Sequence, residues 1–300
     1  MILVVGSTGI LGSEICRRLA AGGRSVRGLI RTTSAAEKVD YLHAIGVETA
    51  VGDLQDPASL QAACQGVQAV IVTAPLVYCL QAAEMLMDNA QGKNPQGHLD
   101  LIEAAGKAGV QHFILLSEPI TPVDCPLNLA RRSVEAALVN SGLTFTILQM
   151  AVFMETIFCP EFGFDYQHAS AVIYGDGFKE ISFISLLDAA RFAVDSLVNP
   201  LARNAILQVS ASQDYNLLEV VRIFEEVSGK AFQLTFVPAA ALEAQLAVAQ
   251  GLRQVSLITV MNALASGMQL DSSKARAGFK FHLTSVDEYA RQAVSICEAR

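Results

Sequence analysis

Twelve residues at the start of the chain decide most of what it can become. Met1-Ile2-Leu3-Val4-Val5 is an apolar run too short for a helix, and it stops at Gly6. Gly9 and Gly12 follow at intervals of three, and Leu11, Ile15 and Leu19 then recur every four residues with Arg17 and Arg18 on another face. The run predicts a strand buried on both faces, and the spacing predicts a helix that Gly22 and Gly23 close. Strand, glycine turn and helix are the parts of a site for a dinucleotide's phosphates. The glycines allow a tight turn, close approach of backbone to pyrophosphate, and close packing of helix on strand. The helix N-terminus offers unpaired N–H groups and a positive dipole. Ser7, Thr8, Ile10 and Leu11 fill the intervening positions. A tight turn with no ligand would use the same glycines, but G-x-x-G-x-x-G between a strand and a helix is the context that favours phosphate.

The rhythm continues. Strands are expected at Ser25 to Ile30, Val47 to Val51, Val67 to Thr73, Val110 to Leu116 and Leu143 to Leu148. Between them, helices are expected at Lys38 to Ile45, after the Asp56-Pro57 cap, at Gly97 to Ala108 and at Leu127 to Asn140. Such alternation predicts an α/β fold, a doubly wound parallel sheet with right-handed crossovers. Asp88 to Gln96 is polar and rich in turn formers, and reads as a mobile loop. Past Met150 the alternation becomes irregular. Strands are expected at Ala171 to Tyr174, Lys179 to Phe183 and Ile206 to Val209, and helices at Asp188 to Val198, Leu217 to Ser228, Ala239 to Gly251 and Val286 to Glu298. Residues 1–150 are therefore expected to form the nucleotide-binding domain and 151–300 a smaller, partly interleaved C-terminal substrate lobe. That lobe should cap the strands' carboxyl ends, where open α/β sheets bind ligands.

Bulk properties exclude several classes. The chain has 300 residues, is 52% hydrophobic and only 17% charged, and carries a net charge of −8. An acidic chain does not suit nucleic acid as a general partner. No apolar stretch is long and uncharged enough to span a membrane, and a strand starting at Met1 leaves no room for a signal peptide. The six cysteines are scattered without C-x-x-C spacing, as expected of reduced thiols in a cytoplasmic protein. No metal-ligand cluster is visible, and the oligomeric state is left open.

Several stretches together resemble the NmrA-like, atypical short-chain dehydrogenase/reductase group. They are Gly6 to Gly12, Arg31, Gly52-Asp53-Leu54, Ala104 to Val110, Ser141 to Leu148, Tyr174-Gly175-Asp176-Gly177 and Asp188-Ala189-Ala190. The resemblance covers most of the chain, least well Pro75 to Gln96 and Phe236 to Gly267. It implies a Rossmann-type fold, NADP(H) as cofactor, and either reduction of a small molecule or redox sensing. It also implies that Asp53 and Leu54 line the adenine pocket; a turn carboxylate satisfying backbone N–H groups is the other reading of Asp53.

Arg31 closes the second strand where NAD-binding proteins usually carry an acid for the ribose 2′-hydroxyl; an arginine there suits a 2′-phosphate, with Thr32 and Lys38 in support. Thr73, Ala74 and Pro75 end the fourth strand at the same edge and should wall the cofactor. Ser117 ends the fifth strand, where short-chain reductases carry an active-site serine. Their tyrosine and lysine, four apart on the next helix, fall here at Leu127 and Arg131. Leucine cannot donate a proton, and arginine does not titrate near neutral pH, though Arg131 can hold a ribose or a nicotinamide amide. Ser117, Arg131 and Tyr174 are therefore the candidate catalytic residues, with Tyr78, Tyr166 and His168 as further cap candidates. Phe153, Met154, Phe158, Phe162 and Phe164 either stack on a flat substrate or form core. Two functions stay open: an NADP(H)-dependent reductase of a small, planar or quinone-like substrate, and a non-catalytic NADP(H)-binding sensor or assembly factor.

Overall fold

The computed structural model describes residues 1–74, 95–119, 126–250 and 252–298. Pro75, Tyr78 and most of the loop expected at 88–96 lie outside them. Seven strands form one parallel sheet: β1 (Ile2–Val5), β2 (Val26–Ile30), β3 (Glu48–Val51), β4 (Ala69–Val72), β5 (His112–Ser117), β6 (Phe145–Met150) and β11 (Ala205–Val209). Their spatial order is β11-β6-β5-β4-β1-β2-β3. The order reverses at β1, between β4 and β2, which is where an open α/β sheet has its ligand crevice.

The apolar run at the N-terminus is buried on both faces, as its composition requires. Leu3 and Val5 join one core, and Ile2 and Val4 the other. The Leu3 face is covered by α3 (Pro57–Ala63), α4 (Gln96–Lys107) and α5 (Pro126–Val139). The Ile2 face is covered by α1 (Ile10–Ala21) and α2 (Ala36–Ala44), and by α7 (Leu186–Ser196) and α11 (Ser273–Gly278) from the second half. Local signals set the ends. Asp56 Oδ1 accepts from the N–H groups of Ala58 and Ser59 at 3.1 and 3.3 Å, with Pro57 opening α3.

The chain leaves the main sheet at Val152. Ala151 N–H still donates to Val209 O at 2.8 Å, and the next two residues, β7 (Val152–Phe153), pair instead with β10 (Ile181–Ile184). The second core holds the short α6 (Met154–Ile157), β8 (Phe164–Asp165), β9 (Ser170–Tyr174), β10, β12 (Asp214–Tyr215), α8 (Leu217–Ser228), β13 (Gln233–Val237), α9 (Ala239–Val248), α10 (Leu252–Ser266) and α12 (Val286–Glu298). Two small sheets run β12-β10-β7 and β13-β9-β8.

Two departures from the sequence reading have physical causes. The strand expected at Ile206 to Val209 belongs to the main sheet, because α7 packs on α1 and returns the chain to β6. Strand β13 and helix α10 were not foreseen. Gln233-Leu234-Thr235-Phe236 does alternate polar and apolar, but over only four residues, and all four are exposed on an edge strand, so the alternation marks no buried face. In α10 the apolar residues lie all round the helix rather than along one stripe.

Candidate functional site

The glycine turn is built for close approach. Gly6 leaves β1 at φ +88°, and a Cβ there would lie 2.5 Å from Thr73 Oγ1 and 2.9 Å from Ala74 N. A Cβ on Gly12 would overlap the Gly6 carbonyl, 2.7 Å from its carbon and 3.0 Å from Ser7 Cα. The two glycines thus let the first turn of α1 sit directly on the end of β1. Gly9 differs. Its hypothetical Cβ meets only Gly6 O, at 3.3 Å, and the residue is exposed, as is Ile10. Gly9 N–H donates to Gly6 O at 3.0 Å, and Ser13 N–H donates to Gly9 O at 2.8 Å. The N–H groups of Ile10, Leu11 and Gly12 come too early in the helix to have an acceptor within it. No side chain caps α1, and its first turn carries no acid, so the positive end of its dipole stays open. Thr8 and Leu11 are half-buried beside it. Ser7 turns inward and is fully buried, its Oγ donating to Leu29 O at 2.8 Å. Its side chain fastens β1 to β2.

At the end of β2, Arg31 and Thr32 are exposed, as is Lys38 on α2. The Arg31 backbone closes a turn with Ser34, whose N–H donates to Arg31 O at 3.0 Å while its Oγ accepts from Arg31 N. Among the described residues neither the Arg31 guanidinium nor the Lys38 ammonium has an acid partner. Beyond β3, Asp53 and Leu54 are half-buried. Asp53 Oδ1 accepts from Gln55 N–H at 2.9 Å, so at least one oxygen serves the turn.

The sequence reading missed His98. It lies in the first turn of α4, buried, and its Nε2 lies 3.1 Å from Ala74 O. Burial pushes its pKa down, so the neutral ring donates Nε2–H to that carbonyl. Gly97 beside it lets α4 press on the 53–54 turn, where a Cβ would lie 2.9 Å from Leu54's carbonyl carbon. Thr73 Oγ1 donates to Val5 O at 3.1 Å. Thr73 and Ala74 are therefore held from both sides as they leave β4. A histidine beside a glycine at a helix start was the available signal.

Across β5 and β6 the inner face of α5 changes character. Val134 and Leu138 are fully buried and apolar; Arg131 and Glu135, toward the strands' carboxyl ends, are about as buried but charged. Arg131 pairs with Glu118. Arg132 Nη1 pairs with Glu135 Oε2 at 2.6 Å, and its Nη2 donates to Glu118 O at 2.5 Å. Gln149 Nε2 donates to Glu135 at 3.2 and 3.4 Å. Ser117 and Gln149 are register partners at the ends of β5 and β6, on the same face of the sheet. Both are buried, and among the described residues the Ser117 hydroxyl has no hydrogen-bond partner. An unpaired buried hydroxyl costs stability, so this strand end is polar for a reason other than packing.

Tyr174 is not part of this group. It is 5% exposed in the second core, its hydroxyl donates to Phe162 O at 3.0 Å, and burial pushes its pKa up to about 12. His168 is exposed and bound to Asp165 at 2.7 Å. Tyr166 packs its ring 5.4 Å from that of Phe224. Met154, Phe158, Phe162 and Phe164 are buried in the second core, which favours the core reading over a stacking surface; Phe158 alone contacts four aromatic rings. Phe153 is half-buried against the first core.

The chain is similar to known proteins over most of its length. One relative, the NAD(P)H azoreductase of Xenophilus azovorans, is 32% identical over 77% of this chain and 74% of its own length. Another, the photosystem II assembly factor Ycf39 of Cyanophora paradoxa, is 29% identical over 81% of this chain and 73% of its own. Among solved structures, the NADPH-dependent quinone oxidoreductase QOR2 of Escherichia coli, complexed with NADPH, superposes with a TM-score of 0.77 at 19% identity, covering 98% of this chain and 99% of that one. The family model of the NmrA-like family matches residues 1–290, and the chain belongs to that family.

Proposed function

We propose that the protein is an NADP(H)-dependent reductase of a small, planar or quinone-like substrate. The observation that carries this reading is the set of vacant donors along the strand ends. Among the described residues, an uncapped helix N-terminus lies at β1, a guanidinium without an acid partner at Arg31, and a buried hydroxyl without a hydrogen-bond partner at Ser117. In sheet order they suit pyrophosphate at β1, a 2′-phosphate at β2 and the reacting end over β4 and β5. The azoreductase relative and the quinone oxidoreductase neighbour support a planar acceptor.

When bound, the cofactor supplies a hydride, and the chain's own residues do the rest. The glycine turn and Arg31 hold the adenosine half. Thr73 and Ala74, fixed by Val5 and His98, wall the middle. Arg131, oriented by Glu118, holds the ribose or amide of the nicotinamide half. Leu127 and Arg131 stand where the tyrosine and lysine of typical short-chain dehydrogenases would be, so the proton comes from elsewhere. Tyr174 has its proton engaged with Phe162 O, which leaves Ser117, directly or through a water, as the donor of choice. Residues 1–150 supply the cofactor half of this site and the second lobe its cover. No helix among the described residues is long and apolar enough to cross a membrane. The six cysteines, scattered without C-x-x-C spacing, support a cytoplasmic location.

The test is NADPH oxidation by the purified protein against a panel of quinones, azo dyes and triarylmethane dyes. Turnover with one class supports the reading. Tight NADPH binding with no turnover on any of them would overturn it in favour of a cofactor-binding sensor or assembly factor. Two observations favour that second reading. Ycf39-type assembly factors are among the relatives, and β13 presents Leu234 and Phe236, 38% and 52% exposed, along a sheet edge.

A further inference from the structure

The polar end of α5 fixes the orientation of one side chain. Gln149 Nε2 faces both oxygens of Glu135, and a carboxylate only accepts, so the amide N–H₂ must point there. Glu135 is itself held by Arg132. Turning the Gln149 amide over would set its oxygen against that carboxylate and lose the hydrogen bond. The amide oxygen is therefore locked on the side away from α5. Among the described residues no donor reaches it.

Gln149 lies one residue before the end of β6, beside Ser117 on β5. The sheet order places β6 on the side of β1 away from β2, beyond β4 and β5. With phosphates at β1 and the 2′-phosphate at Arg31, the opposite half of the dinucleotide runs over β4 and β5 toward β6. The nicotinamide carboxamide lies at that end and carries two N–H donors.

We propose that Gln149 is a fixed acceptor for the carboxamide N–H of the nicotinamide, and that Glu135 is the positioning residue that holds it so. The proposal rests on the NADP(H) reading above. It gives the cofactor's ring a defined face toward the substrate, since an anchored carboxamide sets the ring's rotation about its ribose bond.

The experiment compares three ligands by calorimetric titration. They are NADP⁺, its 3-acetylpyridine analogue, in which a methyl replaces the amide N–H₂, and 2′-phospho-ADP-ribose, which has no ring. The unmodified protein should bind NADP⁺ about 3–10-fold more tightly than the analogue, the worth of one net hydrogen bond. Gln149→Leu should bind the two equally while keeping its affinity for 2′-phospho-ADP-ribose. Gln149→Met is the second variant should the first fail to melt cooperatively. Glu135→Gln should narrow the NADP⁺-to-analogue ratio, because the amide can then turn; a purely structural role would weaken all three ligands alike and leave the ratio unchanged. A wild-type ratio of one, or a ratio that survives Gln149→Leu, overturns the proposal with the cofactor reading intact. Failure of the wild type to bind 2′-phospho-ADP-ribose overturns the cofactor reading, and the proposal with it.

Discussion

Gly9 and Gly12 belong to the same motif, and alanine at each should fail differently. At Gly12 the new methyl would sit 2.7 Å from the Gly6 carbonyl carbon, and the three atoms nearest to it are all backbone. Carbon atoms in contact lie about 3.5–4.0 Å apart, so α1 must shift by about 1 Å off the end of β1. Overpacking of this kind costs roughly 1–3 kcal/mol. In a chain this long that lowers Tm by about 2–12 °C, at roughly 2–4 °C per kcal/mol. At Gly9 the methyl meets only one oxygen, at 3.3 Å, and φ is −77°, which alanine adopts freely. Gly9→Ala should leave Tm within about 1 °C of the wild type. It should still weaken NADPH by about tenfold or more, because the methyl stands where pyrophosphate must approach the N–H groups of Ile10 and Leu11. Thermal melts and NADPH titrations of both variants are the assay. A Gly9→Ala protein that keeps wild-type NADPH affinity would refute the placement of the pyrophosphate. A Gly12→Ala protein that melts normally would refute the packing argument.

Three further outcomes are expected. Arg31→Ala should weaken NADPH by about 1.5–3 kcal/mol, the worth of a charge-assisted hydrogen bond, and leave NADH almost untouched; equal losses for both would remove the 2′-phosphate from Arg31. Ser117→Ala should leave the free protein as stable or more so, since the lost hydroxyl is buried without a partner, while lowering NADPH turnover by about 10²–10⁴ if it helps deliver the proton. A destabilised variant with normal turnover would contradict both halves. Glu155 accepts from Leu186 N–H with both oxygens at 3.0 Å, and burial, with Asp188 nearby, raises its pKa from 4.5 to about 7. A raised carboxyl pKa means that the folded state holds the proton more tightly than the unfolded state, so this group costs stability as pH rises from about 4.5 to 7, by up to about 3 kcal/mol. Glu155→Gln should therefore gain Tm relative to the wild type as pH goes from 5 to 8, and a constant difference over that range would exclude the shift.

How legible was this in the sequence? Where a residue's role depends on its neighbours along the chain, the reading held. The β1 run, Asp56 with Pro57, and helix Leu217–Ser228 all announce themselves locally, and the structure adds an Asn216–Glu219 capping box to the last of them. Roles set by partners distant in sequence did not show. Nothing in the string ties His98 to Ala74 or Gln149 to Glu135, because strand order alone brings those pairs together. Tyr174 illustrates the converse. Its Tyr-Gly-Asp-Gly turn was legible, but which core its side chain enters was not, because β9 pairs with β8 and β13 rather than with the main sheet.

Strand β11 bears on how the protein is made. Its partner β6 is buried at all six positions, from Phe145 to Met150, and one side of β6 has no mate until Val209 arrives, 59 residues after Met150. At about 5–20 residues per second on the ribosome, that edge stays bare for roughly 3–12 s. A protein stopped anywhere from residue 151 to 200 would carry a permanent apolar edge of unpaired N–H and C=O groups, the template on which strands from other chains assemble. Such fragments should collect as aggregates, and the nascent chain should engage chaperones most strongly while the second lobe is being synthesised.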